Sequence, residues 1–349
     1  MPGLNFELGS YSELFMLLAA GTYTVAFIAF AWDLAKSSAT LRAIDERAAR
    51  QQGKATVTVA AKQLVGAGAP AAPSSGTGSA SGTTAVTADS SMRYSGERRA
   101  PARVAVALTI LAALIHGAGV ISRGFAAGRV PWGNMYEFLT TGAWLVAVVF
   151  LLVLLRRDLR FVGTFVMALV IIMLVAASVA FWTPVGHLVP ALQSYWLVIH
   201  VSIAVLSSAL FTLTFSMSVL QLLQSRREGQ LALGRDDKLM FMRLVPDALS
   251  LENFSYRINT IAFVGWTFTL MFGAIWAEKA WGRFWGWDTK EVWTFVIWVV
   301  YAGYLHARAT RGWTGTRAAW LSIVGYLCVV FNFTIVNQYF NGLHSYSGL

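Results

Sequence analysis

The sequence is poor in cysteine and in charged residues. Cys328 is the only cysteine among the 349 residues, so the chain contains no internal disulfide, no Cys-x-x-Cys redox pair and no Cys-x-x-Cys-His haem attachment motif. Charged residues make up only 13% of the chain, whereas hydrophobic residues make up 56%. This balance excludes an ordinary soluble domain and is typical of a protein that lies in lipid.

Long apolar runs take the place of the missing charge, and several reach the ~20 residues that span a bilayer. Because lipid cannot satisfy an open backbone, each run is predicted to be an α-helix. The sequence therefore predicts an all-α polytopic membrane protein with about eight transmembrane helices, near residues 12–32, 103–122, 136–155, 161–182, 195–222, 257–278, 293–307 and 318–337.

The basic residues predict the orientation of these helices. Glu7 and Glu13 precede the first run and no small-residue cleavage site follows it, which favours a retained helix over a signal peptide. We expect both termini to lie outside the plasma membrane, because the inner segments then carry most of the Lys and Arg. The net charge of +10 is mostly explained by this topology, and no nucleic-acid patch is indicated. The inner residues are Arg156, Arg157, Arg160, Arg226, Arg227, Arg235, Lys238, Arg243, Arg257, Arg308, Arg311 and Arg317, and the outer ones are Arg123, Arg129, Lys279, Arg283 and Lys290.

Composition divides the chain into three parts. An N-terminal transmembrane helix over 1–35 precedes a cytoplasmic low-complexity linker over 36–100, and a seven-helix domain covers 101–349 with a tryptophan-rich external loop at 279–293. The charged stretch "DLAKSSATLRAIDERAARQQ" can extend the first helix into the cytoplasm. The stretch "GAGAPAAPSSGTGSASGTTAVTADSS" is predicted to be disordered, because it has too little apolar surface to bury.

Histidines at membrane depth are costly and usually face a ligand, a cavity or a partner. His200 lies near the outer end of the fifth run, and His344 lies just beyond the outer end of the eighth. His306 follows Trp293 by 13 residues, which places it roughly 20 Å deeper on a helix, toward the cytoplasm. The sequence therefore predicts two outer histidines and one inner histidine.

Two facing imidazoles are a standard axial pair for haem iron, whereas zinc needs further Cys, His or carboxylate ligands. The nearby carboxylates have two explanations. Asp288 and Glu291 form the D-x-x-E pattern of a helix start, in which the first acid caps and the second reaches back. The same helix N-terminus suits an anion such as a haem propionate, with which Arg283 is expected to pair. Both explanations of the two acids stay open.

Four tryptophans surround Asp288, namely Trp281, Trp285, Trp287 and Trp293. Each alone is typical of the aromatic belt at a membrane interface. The first three fall within seven residues, however, and Gly282 and Gly286 between them permit close approach of the backbone. Indole faces also suit a flat porphyrin, so this clustering favours a binding surface over a simple belt.

These residues carry a family resemblance. "WGRFWGWDTKE" matches the W-G-x-x-W-x-W-D-x-x-E signature of the haem-handling WWD domain of cytochrome c biogenesis proteins, and "EVWTFVIW" after it resembles the CcsA/ResC branch, or system II. Three more segments resemble the same branch, "PWGNMYEFL" at 131–139, "LQSYWLVIHV" at 192–201 and "GLHSY" at 342–346. Together they cover most of residues 101–349.

The resemblance implies a function and the residues that carry it. His200 and His344 would be the axial ligands of haem b held at the tryptophan-rich loop on the external side, and His306 would hold haem within the membrane. A CcsB/ResB-type partner would supply the second inner ligand. The haem would then be attached to the Cys-x-x-Cys-His thiols of an apocytochrome c, with the chain as the haem-handling subunit of a cytochrome c synthase, or haem lyase. No side chain is assigned a catalytic role.

Several points stay open. Thr289 stands where the family usually has Pro, and Gly133 where Ser is common, which affects the expected loop shapes but removes no ligand. Asn134 and Glu137 either brace the third helix or shape the haem pocket. Structural roles are expected for His116, beside a neighbouring helix, and for His187, in an external loop.

Two other function classes compete with haem attachment. A dihaem electron-transfer protein normally supplies both ligands of each haem from its own helices, whereas here the inner site has one histidine. A small-solute transporter favours broken helices and mid-membrane charges, of which the apolar runs contain almost none.

Overall fold

The computed structural model of the chain describes residues 3–65, 91–94, 99–310 and 313–344. The regular elements in these ranges are helices, and seven of them are long and apolar enough to cross a membrane. The predicted all-α multi-pass class is thereby confirmed. The α-helices are α1 (Phe6–Val65), α2 (Ala100–Ala127), α3 (Met135–Leu154), α4 (Gly163–Ala180), α5 (Tyr195–Ala232), α6 (Ala248–Trp281), α7 (Thr289–Ala309), α8 (Thr316–Phe333) and α9 (Ile335–Tyr339).

The predicted span at 293–307 falls within α7, which is not among the seven apolar helices. The physical reason is its polar content, since Lys290 and Glu291 lie in its first turn and His306 and Arg308 in its last. The helix nevertheless packs against both α6 and α8. With α7 included, each of the eight predicted runs corresponds to a helix of the structure.

The first helix extends beyond its predicted membrane span and packs on α2. It continues to Val65, far beyond the expected boundary at residue 35, and so takes in the charged stretch that was expected to extend it. The predicted disordered stretch at 66–91 lies almost entirely outside the described residues. Ser12 Oγ donates a hydrogen bond to the Gly119 carbonyl on α2 at 2.7 Å, and Tyr23 and Phe30 are buried. The transmembrane part of α1 is therefore a member of the bundle.

Local sequence signals set the helix ends near the candidate site. The side chain of Asn134 caps α3 by accepting from the backbone N–H of Glu137 at 2.9 Å, and Ser194 caps α5 by accepting from Trp196 N–H. Gly128 and Gly282 end α2 and α6 in the left-handed conformation, with φ of 62° and 72°. These caps fix where the connecting loops begin.

The connections bring alternate helix ends together. We call one end of the bundle the tryptophan end. It contains the first residues of α3, α5 and α7 and the last residues of α2, α4, α6 and α8. Cross-links between the loops hold it, for example the bond from Trp276 Nε1 to the Ala191 carbonyl at 3.1 Å. One core cluster is built largely from α1 to α5 and a second from α5 to α8, so α5 joins the two halves.

Candidate functional site

Two histidines that are distant in sequence lie together at the tryptophan end. His200 is in the second turn of α5, and His344 follows α9 in the C-terminal segment. Both line two cavities of about 110 and 50 Å³ whose walls share His200, His344 and Lys290. The structure therefore brings the two predicted outer histidines to a single site.

The ring of His200 is held by α6. Its Nδ1 lies 2.9 Å from the Thr269 carbonyl, which can only accept, so Nδ1 carries the proton and donates. The lone pair is then on Nε2, the nitrogen available to a metal. Gly273 makes this approach possible, because a Cβ there would lie 2.8 Å from Cε1 of the ring. The ring also stacks on Trp276, with centroids 5.9 Å apart and planes 11° apart.

The ring of His344 is held by a carboxylate. Its Nδ1 lies 2.7 Å from Oδ2 of Asp288, and Oδ1 of the same aspartate accepts from the Leu343 N–H at 3.1 Å. The hydrogen bond from His344 holds the pKa of Asp288 below its usual value, and burial lowers the pKa of His344. A neutral imidazole that donates from Nδ1 to an ionised carboxylate again leaves Nε2 available for a metal.

Asp288 and Glu291 serve the helix start and the site together. The two residues form a capping box at the N-terminus of α7. Glu291 also accepts from the Gly286 N–H at 2.8 Å and pairs with Arg283 at 3.2 Å, while Asp288 orients His344. The capping explanation is thus observed, and Asp288 in addition holds His344. The explanation by a haem propionate at this helix start stays a prediction.

Trp276 and Trp281 form the aromatic wall around the histidines. The edge-on contacts of His344 have centroid distances of 5.4 Å to Trp276 and 4.9 Å to Trp281. Trp276 is only 2% exposed and touches both imidazoles. The sequence analysis missed it, although its position five residues before Trp281, at the same end of α6, was a usable signal.

The other three tryptophans of the predicted cluster have different surroundings. Trp285 lines the smaller cavity, whereas Trp287 is 75% exposed and has a φ of 60°, an unusual conformation for a bulky residue. Trp293 packs on Phe331 of α8 with centroids 4.3 Å apart. Of the four, therefore, only Trp281 contacts a histidine and only Trp285 lines a cavity.

A buried ionic cluster shapes one side of the site. Glu137 is fully buried and accepts from Arg123 at 3.0 Å, from Arg129 at 2.7 Å and from the Gly133 N–H at 2.8 Å. The arginines also donate to the carbonyls of Thr183 and Gly186, in the loop after α4. We call this group the Glu137 cluster. It fixes the loop over 129–134, and part of that loop lines the larger cavity, so Glu137 braces the helix and shapes the pocket.

The remaining histidines lie away from this site. His306 is exposed in the last turn of α7. It lies 17 residues after Thr289, and so about 25 Å along the helix, at the opposite end of the bundle. His187 is exposed in the loop between α4 and α5. His116 is buried on α2 and packs edge-on against Tyr23 of the neighbouring α1.

The arrangement fits an iron porphyrin in its chemistry. It offers two imidazoles with free Nε2 atoms, an aromatic wall and the amine of Lys290 in one place. The two cavities are smaller than the ~300–1,000 Å³ of typical ligand pockets, so a porphyrin requires movement of the side chains between them. An apolar cavity of about 340 Å³ among α3, α4, α5 and α8 shares Phe138 and Phe333 with the larger of the two and adds room beside it.

Comparison with known proteins gives consistent matches. The family model described as Cytochrome C assembly protein matches residues 132–344. The chain is 37% identical over 268 residues to cytochrome c biogenesis protein CcsA of Prochlorococcus marinus (strain MIT 9313), covering 70% of this chain and 84% of the relative. It is 36% identical over 278 residues to the protein of the same name from Synechococcus sp. (strain RCC307), covering 72% and 88%. The corresponding Porphyra purpurea protein is 32% identical over 282 residues, covering 71% and 88%.

Proposed function

Because this chain belongs to the cytochrome c assembly protein family, we propose that it holds haem between His200 and His344 and presents it for covalent attachment to apocytochrome c. Membership of the family assigns the chain a role in cytochrome c maturation, and it confirms the resemblance to the CcsA/ResC family that the sequence motifs indicated. The observation that carries the proposal is that the protein holds both histidine rings by the same nitrogen. Each engages Nδ1 with an acceptor of the protein and keeps Nε2 for a metal.

The chain's own residues position the ligand. Thr269 and Asp288 fix the two imidazoles, whose Nε2 atoms would hold haem iron. Trp276 and Trp281 would pack against the porphyrin, and their apolar surface would exclude water from it. When bound, haem b supplies the two vinyl groups that become thioethers, as each cysteine S–H of apocytochrome c adds across one vinyl C=C bond.

This addition moves one proton and no net electrons for each thioether bond. The thiol supplies both the sulfur and the hydrogen that add to the vinyl group, so no oxidant is consumed. The protein's contribution is to hold the vinyl groups in reach of the two thiols, which accounts for much of the rate gain when reactants are correctly oriented. The identity of the axial ligands also sets the reduction potential of the iron, and attachment requires the reduced state.

A haem entry site, shared with a partner protein, is proposed at the opposite end of the bundle. His306 is exposed there, and the other four histidines lie on α2 or at the tryptophan end. We therefore place its missing counterpart on a CcsB/ResB-type membrane protein that docks against α7. In this proposal haem enters at the cytoplasmic side of the plasma membrane and reaches the tryptophan end on the external side.

The test is holocytochrome c formation in cells that depend on this chain. His200→Ala and His344→Ala are expected to lower covalent haem in cytochrome c by at least about tenfold, since each removes one axial ligand. His187→Ala is the matched control, because that histidine is exposed and outside both cavities. Full holocytochrome formation by His200→Ala or His344→Ala, at equal protein levels, would refute the proposal.

A further inference from the structure

Lys290 places a buried basic group beside the two histidines; burial lowers its pKa to about 7, and the charge of Asp288 opposes part of that shift. Lys290 is the second residue of α7, and its side chain lines both cavities together with His200 and His344. The ammonium Nζ donates to Oδ1 of Asn337 at 2.5 Å and faces the ring of Phe333 at 4.8 Å. Nζ also lies 3.4 Å from the Asn332 carbonyl. These partners are neutral amide oxygens and an aromatic ring, and none of them carries a negative charge.

Lys290 differs in this respect from the other basic residues of the tryptophan end. Arg123 and Arg129 pair with Glu137, Arg283 pairs with Glu291, and Lys279 pairs with Glu278. Lys290 forms no ion pair with any residue in the described ranges. A cation beside an apolar cavity is costly unless it is paired. Lys290 lacks the carboxylate partner that its four basic neighbours have.

The nearby carboxylates are already engaged elsewhere. Asp288 accepts from His344 and from the Leu343 N–H, with one oxygen for each. Glu291 accepts from Arg283, from the Gly286 N–H and from the Asp288 N–H. The missing anion is therefore expected to arrive with the ligand that occupies the space between the histidines.

We infer that the ammonium of Lys290 binds a carboxylate of the ligand held between His200 and His344, and, resting on the proposed function, that this carboxylate is a haem propionate. This role replaces the one expected for Arg283, whose guanidinium already pairs with Glu291. Propionates and vinyl groups lie at different edges of protoporphyrin IX. An ion pair at Lys290 therefore fixes which edge of the porphyrin is offered to the incoming thiols.

The experiment compares two ligands that differ only at the propionates. The full-length protein in detergent is titrated with haem and with haem dimethyl ester, and the absorbance band of the bis-histidine complex reports binding. The variants are Lys290→Met, Lys290→Arg and Arg283→Met. Lys279→Met is the matched control, because Lys279 lies at the same end of the bundle but pairs on the surface with Glu278.

The wild-type chain and Lys279→Met are expected to bind haem about tenfold more tightly than the ester, as one charge-assisted contact would give. Lys290→Met should bind both at the level of the ester, and Lys290→Arg should recover part of the preference. Unchanged ester binding by Lys290→Met shows that its pocket is folded.

Two outcomes would overturn the inference separately from the proposed function. If the wild type binds haem and ester equally with a bis-histidine spectrum, the haem site stands and the propionate contact does not. If Arg283→Met loses the preference while Lys290→Met keeps it, the contact belongs to Arg283. If neither ligand binds to the wild type, the proposed function fails and the inference fails with it.

Discussion

Asp288 links the shape of the tryptophan loop to the state of a histidine. It begins α7 as the first member of a capping box, and its carboxylate receives the Nδ1–H of His344. Partners of this kind hold a metal-binding imidazole in one tautomer and one orientation. In the proposed function, the aspartate of the tryptophan motif would therefore orient a ligand of the iron without touching the iron.

Asp288→Asn separates the capping of α7 from the contact with His344, because asparagine and aspartate are about equally good helix caps. We expect the variant to fold normally and to bind haem about 10–100-fold more weakly, as other losses of such partners do. The measurement is a haem titration of the purified variant. Asp247→Asn is the control, since Asp247 caps α6 at the opposite end by accepting from the Ser250 N–H. Equal affinity in the Asp288→Asn variant and the wild type would show that the carboxylate does not orient the ligand.

The close approach of α5 and α6 depends on one glycine. A Cβ at Gly273 would lie 2.8 Å from Cε1 and 2.9 Å from Nδ1 of His200, a distance that forces the ring to move. A shift of the ring would disturb the bond to Thr269 and the stack on Trp276. The packing of α6 on α5 therefore helps to set the position of the His200 ring.

Gly273→Ala is expected to weaken haem binding by at least about tenfold, because it displaces an axial ligand and its hydrogen bond. Gly303→Ala on α7 meets no atom within 4 Å and serves as the control. That control should bind haem normally and gain some stability, since glycine costs roughly 0.5–1 kcal/mol in a helix interior. The affinities of the two variants, measured in parallel, check both statements, and normal haem binding by Gly273→Ala would contradict the first.

The Glu137 cluster also links separate elements, namely α2, α3 and the loop after α4. Its one carboxylate holds two arginines and a loop N–H with negligible exposure to water. Removing one member of a buried ionic group leaves its partners unpaired, at a cost of about 3–5 kcal/mol. The loop that it anchors carries Trp132 and Asn134 to the larger cavity.

Glu137→Gln is therefore expected to lower the unfolding temperature clearly and to reduce the yield of folded protein. Thermal unfolding in detergent measures the effect. Glu278→Gln is the matched control, because Glu278 pairs with Lys279 where both side chains are partly exposed, and such pairs contribute ~0–1 kcal/mol. Equal unfolding temperatures for the two variants would show that the buried cluster is not a stabilising element.

The molecule as a whole has two ends of different character. The tryptophan end carries His200 and His344, and the opposite end carries His306. The distribution of basic residues predicts that the tryptophan end faces outward. Both the proposed entry of haem and its presentation to apocytochrome c depend on this orientation.

Cysteine labelling tests the orientation directly, because Cys328 is the only native cysteine. In a Cys328→Ser background, Lys279→Cys should react with a membrane-impermeant thiol reagent in intact cells. Leu233→Cys, at an exposed position just after α5, should react only after the cells are permeabilised. The reverse pattern would invert the topology and the proposed direction of haem movement.

The sequence predicted features that depend on one segment at a time. Apolar runs located the helices, and the depths of the histidines within those runs put His200 and His344 at the same end. It did not reveal Trp276 or Lys290, since their importance comes from contacts between α6, α7, α5 and the C-terminal segment. It also gave no indication that α1 packs on α2, because that contact depends on two segments that are distant in sequence.

The central claim is that His200 and His344 together hold haem iron. The most direct measurement is the reduced-minus-oxidised absorbance spectrum of the purified protein, compared among the wild type, His200→Ala, His344→Ala and His187→Ala. Our account predicts a low-spin b-type haem spectrum in the wild type and in His187→Ala, its loss in both outer variants, and partial recovery of each when imidazole is added. An unchanged haem spectrum in either His200→Ala or His344→Ala would contradict it.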